Sequence, residues 1–135
     1  MPLVIDPTKD GFEKVLREYQ IEALKLIWAD KGNGMTSREV YIGVNDVLEA
    51  RSLSRASIIN FLNAMCDEGV LDFEEETCKG GMRRKYSTGL DESGFKVHIA
   101  EMVLKSLVVD FPDETISAIK NSLNGDQLNS LNDSF

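Results

Sequence analysis

Residues suited to catalysis, secretion or membrane insertion are scarce in this chain. Its 135 residues include two cysteines, Cys66 and Cys78, one histidine, His98, and three prolines. Two cysteines build no disulfide framework, and without a Cys-x-x-Cys pair they do not frame a zinc site. A lone histidine leaves a histidine-based metal centre or catalytic triad short of members. No stretch nears the roughly eighteen uninterrupted apolar residues of a membrane helix. The opening Met1-Pro2-Leu3-Val4-Ile5-Asp6 has no basic segment, and its apolar run ends too soon for a signal peptide. A cytoplasmic protein with no cofactor and no metal is therefore expected. Basic charge is short as well. Lys and Arg number 15 against 23 Asp and Glu, a net charge of −8, which argues against indiscriminate coating of nucleic acid. Carboxylate pairs abound, but none accompanies a nucleophile or a phosphate-binding glycine loop, and Gly32-Asn33-Gly34 is too short to be one. An enzyme is not expected.

The remaining composition, 42% hydrophobic and 28% charged, is that of a soluble globular protein with one real core. Charge is unevenly placed. Residues 51–88 carry six basic and six acidic side chains, whereas residues 89–135 carry three and eight. Within the middle segment the acids come first, from Asp67 to Glu76. Lys79, Arg83, Arg84 and Lys85 follow, with no acid between residues 77 and 90. Such a cluster acts locally, because the Debye length at physiological salt is only about 8 Å.

Hydrophobic spacing predicts helices around one hairpin. Phe12, Leu16, Tyr19, Ala23 and Ile27 recur at helical intervals, widened by Leu24 and Trp28. Thr36-Ser37-Arg38-Glu39 reads as a capping box and opens a second helix to about Ala50, with Val40, Val44, Val47 and Leu48 inward. After a link at Arg51-Ser52-Leu53, Ser54 caps a third helix to about Glu68. Ile58, Phe61, Leu62 and Met65 lie on its apolar side, and Arg55, Ser57, Asn60, Asn63 and Asp67 on its polar side. Gly69 stops it. Val70, Leu71 and Phe73 start a strand that returns through Met82 to Thr88, with Gly80-Gly81 supplying positive φ at the tip. A fourth helix from Phe95 to Asp110 carries two apolar stripes. One is Phe95, Ile99, Met102, Val103 and Leu107; the other is Val97, Ala100, Leu104 and Val108. A surface helix of a small monomer needs one such face, so the second is expected to meet another copy of the chain. Pro112 interrupts this helix, Ile116, Ile119 and Leu123 mark a short fifth, and the polar tail after Gly125 is expected to fray.

Helix, helix, turn, helix, hairpin is the order of a winged helix-turn-helix. The expected fold is mainly α with a small β-hairpin wing (α+β). A DNA-binding domain is expected over 1–90 and a C-terminal helical dimerisation segment over 91–135. Ile21-Glu22-Ala23-Leu24-Lys25-Leu26-Ile27-Trp28 resembles the first-helix signature of the penicillinase repressor family. Leu53-Ser54-Arg55-Ala56-Ser57-Ile58-Ile59-Asn60-Phe61-Leu62 resembles its recognition helix. Asn63-Ala64-Met65-Cys66-Asp67-Glu68-Gly69-Val70-Leu71 resembles the turn into its wing, and Gly81, Arg83 and Tyr86-Ser87 its second wing strand. The resemblance covers roughly residues 18–123. It implies a homodimeric repressor that reads a palindromic operator in double-stranded DNA and pairs through its C-terminal helices. Two departures stand out. Asp67 and Glu68 end a helix that is usually more basic, and the one Asn-Phe bond, Asn60-Phe61, lies in the recognition helix. Induction by cleavage at such a bond in the dimerisation segment is therefore not carried over.

Recognition-helix side chains reach base edges in the major groove. Arg55 suits guanine, Asn60 and Asn63 suit adenine, and Ser54 and Ser57 suit phosphates. Lys79, Arg83 and Arg84 lie on the wing (about 77–85), for the backbone or minor groove. Cys66, Trp28, Phe61 and Tyr86 read as packing. An acidic winged-helix module that binds protein is the rival reading. A small-molecule effector between the DNA-binding lobe and the dimer helices is compatible with the pattern, although no residue indicates one.

Overall fold

The structure, a computed structural model, describes residues 3–49 and 53–134. The link at Arg51-Ser52 and the helix end expected at Ala50 lie outside them. The chain divides into two compact units, 1–95 and 96–135.

In the first unit a 3-10 turn, Gly11–Lys14, precedes α1, Glu18–Ala29. The single stripe expected from Phe12 onward is thus broken. Phe12 sits on the separate turn, and the Arg17 amide, capped by Gln20 Oε1 at 2.9 Å, starts the true helix. A two-residue strand β1, Met35–Thr36, leads into α2, Ser37–Leu48. The expected capping box is present: Thr36 Oγ1 accepts from the Glu39 amide at 3.2 Å, and Glu39 Oε1 accepts from the Thr36 amide at 3.0 Å. Val40 and Val44 are fully buried, but Val47 is 56% exposed. It turns outward because α2 ends one residue later, with Glu49 in the left-handed region at φ 52°. Helix α3 spans Arg55–Asp67, and its capping hydroxyl, Ser54 Oγ, accepts from the Ser57 amide at 3.1 Å.

Ala23, Leu24 and Ile27 of α1, Val40 and Val44 of α2, and Ile58, Phe61, Leu62 and Met65 of α3 form the buried core. The edge of the Tyr19 ring meets Phe61 at 6.4 Å between centroids. Gly43 belongs to this packing. A Cβ there would lie 2.7 Å from Leu26 Cδ1, so the glycine is what lets α1 and α2 approach.

The hairpin consists of β2, Leu71–Cys78, and β3, Gly81–Thr88. Antiparallel β1 completes the sheet in the order β1-β3-β2, with Met35 opposite Tyr86 and Thr36 opposite Lys85. Cys78 pairs with Gly81 across a two-residue loop, Lys79-Gly80. Of the two tip glycines only Gly81, the first residue of the return strand, has positive φ, at 120°.

Helix α4, Glu92–Asp110, begins in the first unit. Its Phe95 is fully buried there, with ring centroids 5.5 Å from Phe12 and 5.9 Å from Trp28. Trp28 Nε1 donates to the Leu90 carbonyl at 2.9 Å.

The second unit holds the rest of α4, then α5, Pro112–Ser122, and α6, Gly125–Asp133. Pro112 in the first turn of α5, with Asp113 and Glu114 beside it and Lys120 in the last turn, suits the helix dipole. The tail expected to fray is helical. Asn124 Oδ1 accepts from the Gln127 amide at 2.9 Å, and Gln127 Oε1 accepts from the Asn124 amide at 3.0 Å, a second capping box.

Candidate nucleic-acid interface

Helix α3 is amphipathic. While Ile58, Phe61, Leu62 and Met65 face the core, Ser54, Arg55, Ala56 and Asn60 are exposed and Ser57 is half-buried. The exposed Arg55 side chain makes no hydrogen bond or ion pair among the described residues, so its guanidinium is available to a ligand. Ser54 Oγ caps the Ser57 amide and the Ser57 hydroxyl lies 2.9 Å from that same Ser54 Oγ, which leaves both a secondary part in any phosphate contact.

Strand alternation sorts the wing side chains. Phe73 pairs with Tyr86 and Glu75 with Arg84, so these four share one face; Glu74 pairs with Lys85 and Glu76 with Arg83 on the other. The expected set joined Arg83 and Arg84 and omitted Lys85. The register instead joins Arg83 with Lys85. Period-two alternation in the sequence carried that signal.

Asn63 and Arg84, both expected at the DNA, are joined to each other. Tyr86 Oη donates to Asn63 Oδ1 at 2.7 Å, and Arg84 Nη1 donates to the same oxygen at 3.1 Å. The Arg84 guanidinium also stacks over the Phe73 ring, 3.9 Å from its centroid. These contacts occupy the Asn63 oxygen and one nitrogen of the Arg84 guanidinium. The two partners of Asn63 lie 21 and 23 positions away in the chain, which local spacing does not reveal.

The cationic wing is internally compensated. Arg83 Nε lies 2.6 Å from Glu76 Oε1, Lys85 Nζ 3.9 Å from Glu76 Oε2, and Arg84 Nε 3.9 Å from Glu75 Oε1. The Glu76 hydrogen bond raises the Arg83 pKa above its ordinary value. These pairs are solvent-exposed, and exposed pairs contribute about 0–1 kcal/mol, so a phosphate can displace a glutamate at little cost. Lys79, at the exposed tip, has no such partner among the described residues.

Beneath this surface the Cys66 thiol is pushed up to about 11, mainly by burial, and stays protonated at neutral pH. Burial likewise raises the Tyr86 hydroxyl, which keeps it a donor toward Asn63. Among the described residues no group of three or more His, Cys, Asp or Glu could hold a metal ion. Among the described residues no helix is long and apolar enough to cross a membrane.

The residues expected to form a dimer divide into buried and exposed groups. Phe95 belongs to the first unit's core, so its side chain is unavailable to a partner. Ile99, Met102 and Val103 are half-buried and Ala100 is exposed. Val97 is 53% exposed, Leu104 and Leu107 39% each, and Val108 42%. Val109 and Phe111, outside the expected set, are more exposed still.

Three packed helices followed by a hairpin make this a winged-helix fold. One structural match is the ORC1 protein of Aeropyrum pernix in complex with DNA, at a TM-score of 0.51 and 16% identity. It covers 64% of this chain, which spans only 24% of that one. A possible transcriptional regulator from Methanosarcina mazei Go1 aligns at a TM-score of 0.50 and 12% identity over 81% of each chain. No family model and no curated protein matches the sequence.

Proposed function

We propose that this protein is a sequence-specific, DNA-binding transcriptional regulator, a homodimeric repressor of the kind its resemblance to the penicillinase repressor family implies. Helix α3 lies in the major groove of a palindromic operator, where Arg55 reads guanine and Asn60 adenine while Ser54 and Ser57 adjust phosphates. Lys79, Arg83 and Lys85 approach the backbone from the wing. The dimer forms through α4, with Val97, Leu104, Leu107 and Val108 as its apolar seam.

The observation that carries this reading is the outward face of α3. It presents Arg55 and Asn60, exposed and with no side-chain partner among the described residues, on the helix directly before a hairpin whose return strand carries Arg83, Arg84 and Lys85. Each bidentate base contact contributes roughly 1–3 kcal/mol of discrimination.

Fluorescence anisotropy with DNA from upstream of the gene, against scrambled DNA at two salt concentrations, tests it. Binding should be tight, salt-sensitive and selective for the upstream DNA, and Arg55→Ala should remove the selectivity. The glutamates opposite Arg83, Arg84 and Lys85, with the net charge of −8, favour a second reading, a protein-binding winged helix. Absence of DNA binding at physiological salt would select that one.

A further inference from the structure

We propose that Asn63 is a positioning residue, the keystone of a latch that sets the wing against the recognition helix, and that Arg84 serves this latch rather than a phosphate. This rests on reading α3 and the hairpin as the DNA-binding surface.

The chemistry of the contact is unambiguous. Arginine donates and never accepts, so the Asn63 atom facing Arg84 Nη1 at 3.1 Å must be the carbonyl oxygen. The Tyr86 hydroxyl, 2.7 Å from that same oxygen, must therefore donate as well. Asn63 projects from α3, whereas Tyr86 and Arg84 are two residues apart on one face of β3. A single amide oxygen thus ties two points of the hairpin to one point of the helix. Phe73, directly opposite Tyr86 on β2, extends the tie to the outer strand by carrying the Arg84 guanidinium on its ring. Tyr86 is only 3% exposed, so its hydroxyl has no access to DNA and any effect of removing it must pass through the protein.

Position matters here because β1 braces β3 only at Lys85 and Tyr86, and base contacts made by α3 fix where the backbone meets the wing. Strand alternation puts Arg83 and Lys85 on the opposite face, beside Glu76, and the latch fixes where that face stands relative to α3. The latch also takes the Asn63 carbonyl oxygen out of base reading, which leaves direct readout centred on the first half of α3, Arg55 to Asn60.

The test uses Tyr86→Phe, Arg84→Lys and Arg84→Ala in the full chain, with two readouts. Amide hydrogen exchange without DNA reports the wing directly. In Tyr86→Phe and Arg84→Lys, exchange should quicken in β2 and β3 while the α1–α3 core keeps its protection. Unchanged wing exchange would overturn the latch, whether or not the protein binds DNA. In anisotropy, both variants should lose about three- to tenfold in affinity at an unchanged salt slope, as for one lost hydrogen bond. A phosphate-binding Arg84 gives a different pattern: Arg84→Lys binds as the parent does, and Arg84→Ala lowers the slope by about one. That pattern would also overturn the proposal. Failure of the parent chain to bind any DNA would sink the regulator reading alone, since hydrogen exchange still decides the latch.

Discussion

Thr36 is 7% exposed, and its hydroxyl and amide both engage Glu39. This reciprocal cap was legible in the sequence, because its members are three residues apart and its geometry is local. Thr36→Ala should cost about 1 kcal/mol, seen as a lower urea midpoint with an unchanged slope. The bond from the Thr36 amide, the largest influence on the Glu39 carboxyl, holds it below its ordinary value of 4.5. A carboxyl lowered in the folded state contributes stability above its unfolded pKa and loses it as pH falls through the folded one. Stability should therefore decline as pH falls below about 4.5, and Glu39→Gln should flatten that decline in pH-dependent urea titrations. Asn63 is the opposite case. Its residue type and exposed-looking spacing suggested adenine, yet its oxygen is taken by Tyr86 and Arg84.

At the scale of elements, periodicity located α2, α3 and both hairpin strands, and Gly69 marked the end of α3. It failed where an apolar stripe ran across a break. Phe12 continues the spacing of α1 but belongs to another turn, and it meets Trp28 at 5.7 Å between ring centroids. Phe95 closes that trio from the far end of the first unit. Phe95→Ala should cost about 3–5 kcal/mol and lower the melting temperature sharply in calorimetry, as expected of a core aromatic. A residue serving only a dimer interface would instead show a loss that depends on protein concentration. The C-terminal helix α6 was missed although its signal was present, since Asn124 and Gln127 stand at the cap-to-third-residue spacing. Its polar composition outweighed that cue.

For the whole molecule, charge and exposed apolar surface pull in different directions. A net charge of −8 opposes association, while Val97, Leu104, Leu107, Val108 and Val109 stand exposed on one helix. Burying such side chains contributes about 25 cal/mol per Å² of apolar surface, which favours pairing once enough of them meet. Sedimentation equilibrium should therefore find a dimer that strengthens with salt as acidic repulsion is screened. Leu107→Glu should give monomers with an intact first unit. A parent chain that sediments as a monomer at all salt concentrations would exclude the α4 seam.

The sequence by itself determined the succession of α2, α3 and the two hairpin strands, the caps at Thr36 and Ser54, the apolar face of α3 and the crowding of cations on β3. Each depends on residues within a few positions of one another, where spacing and chemistry suffice. Tertiary structure alone decided that Phe95 joins the first unit's core and that Asn63 and Arg84 hold each other. These outcomes require segments far apart in the chain to dock at one angle and register. Only then does an amide oxygen on a helix find its two donors on a strand.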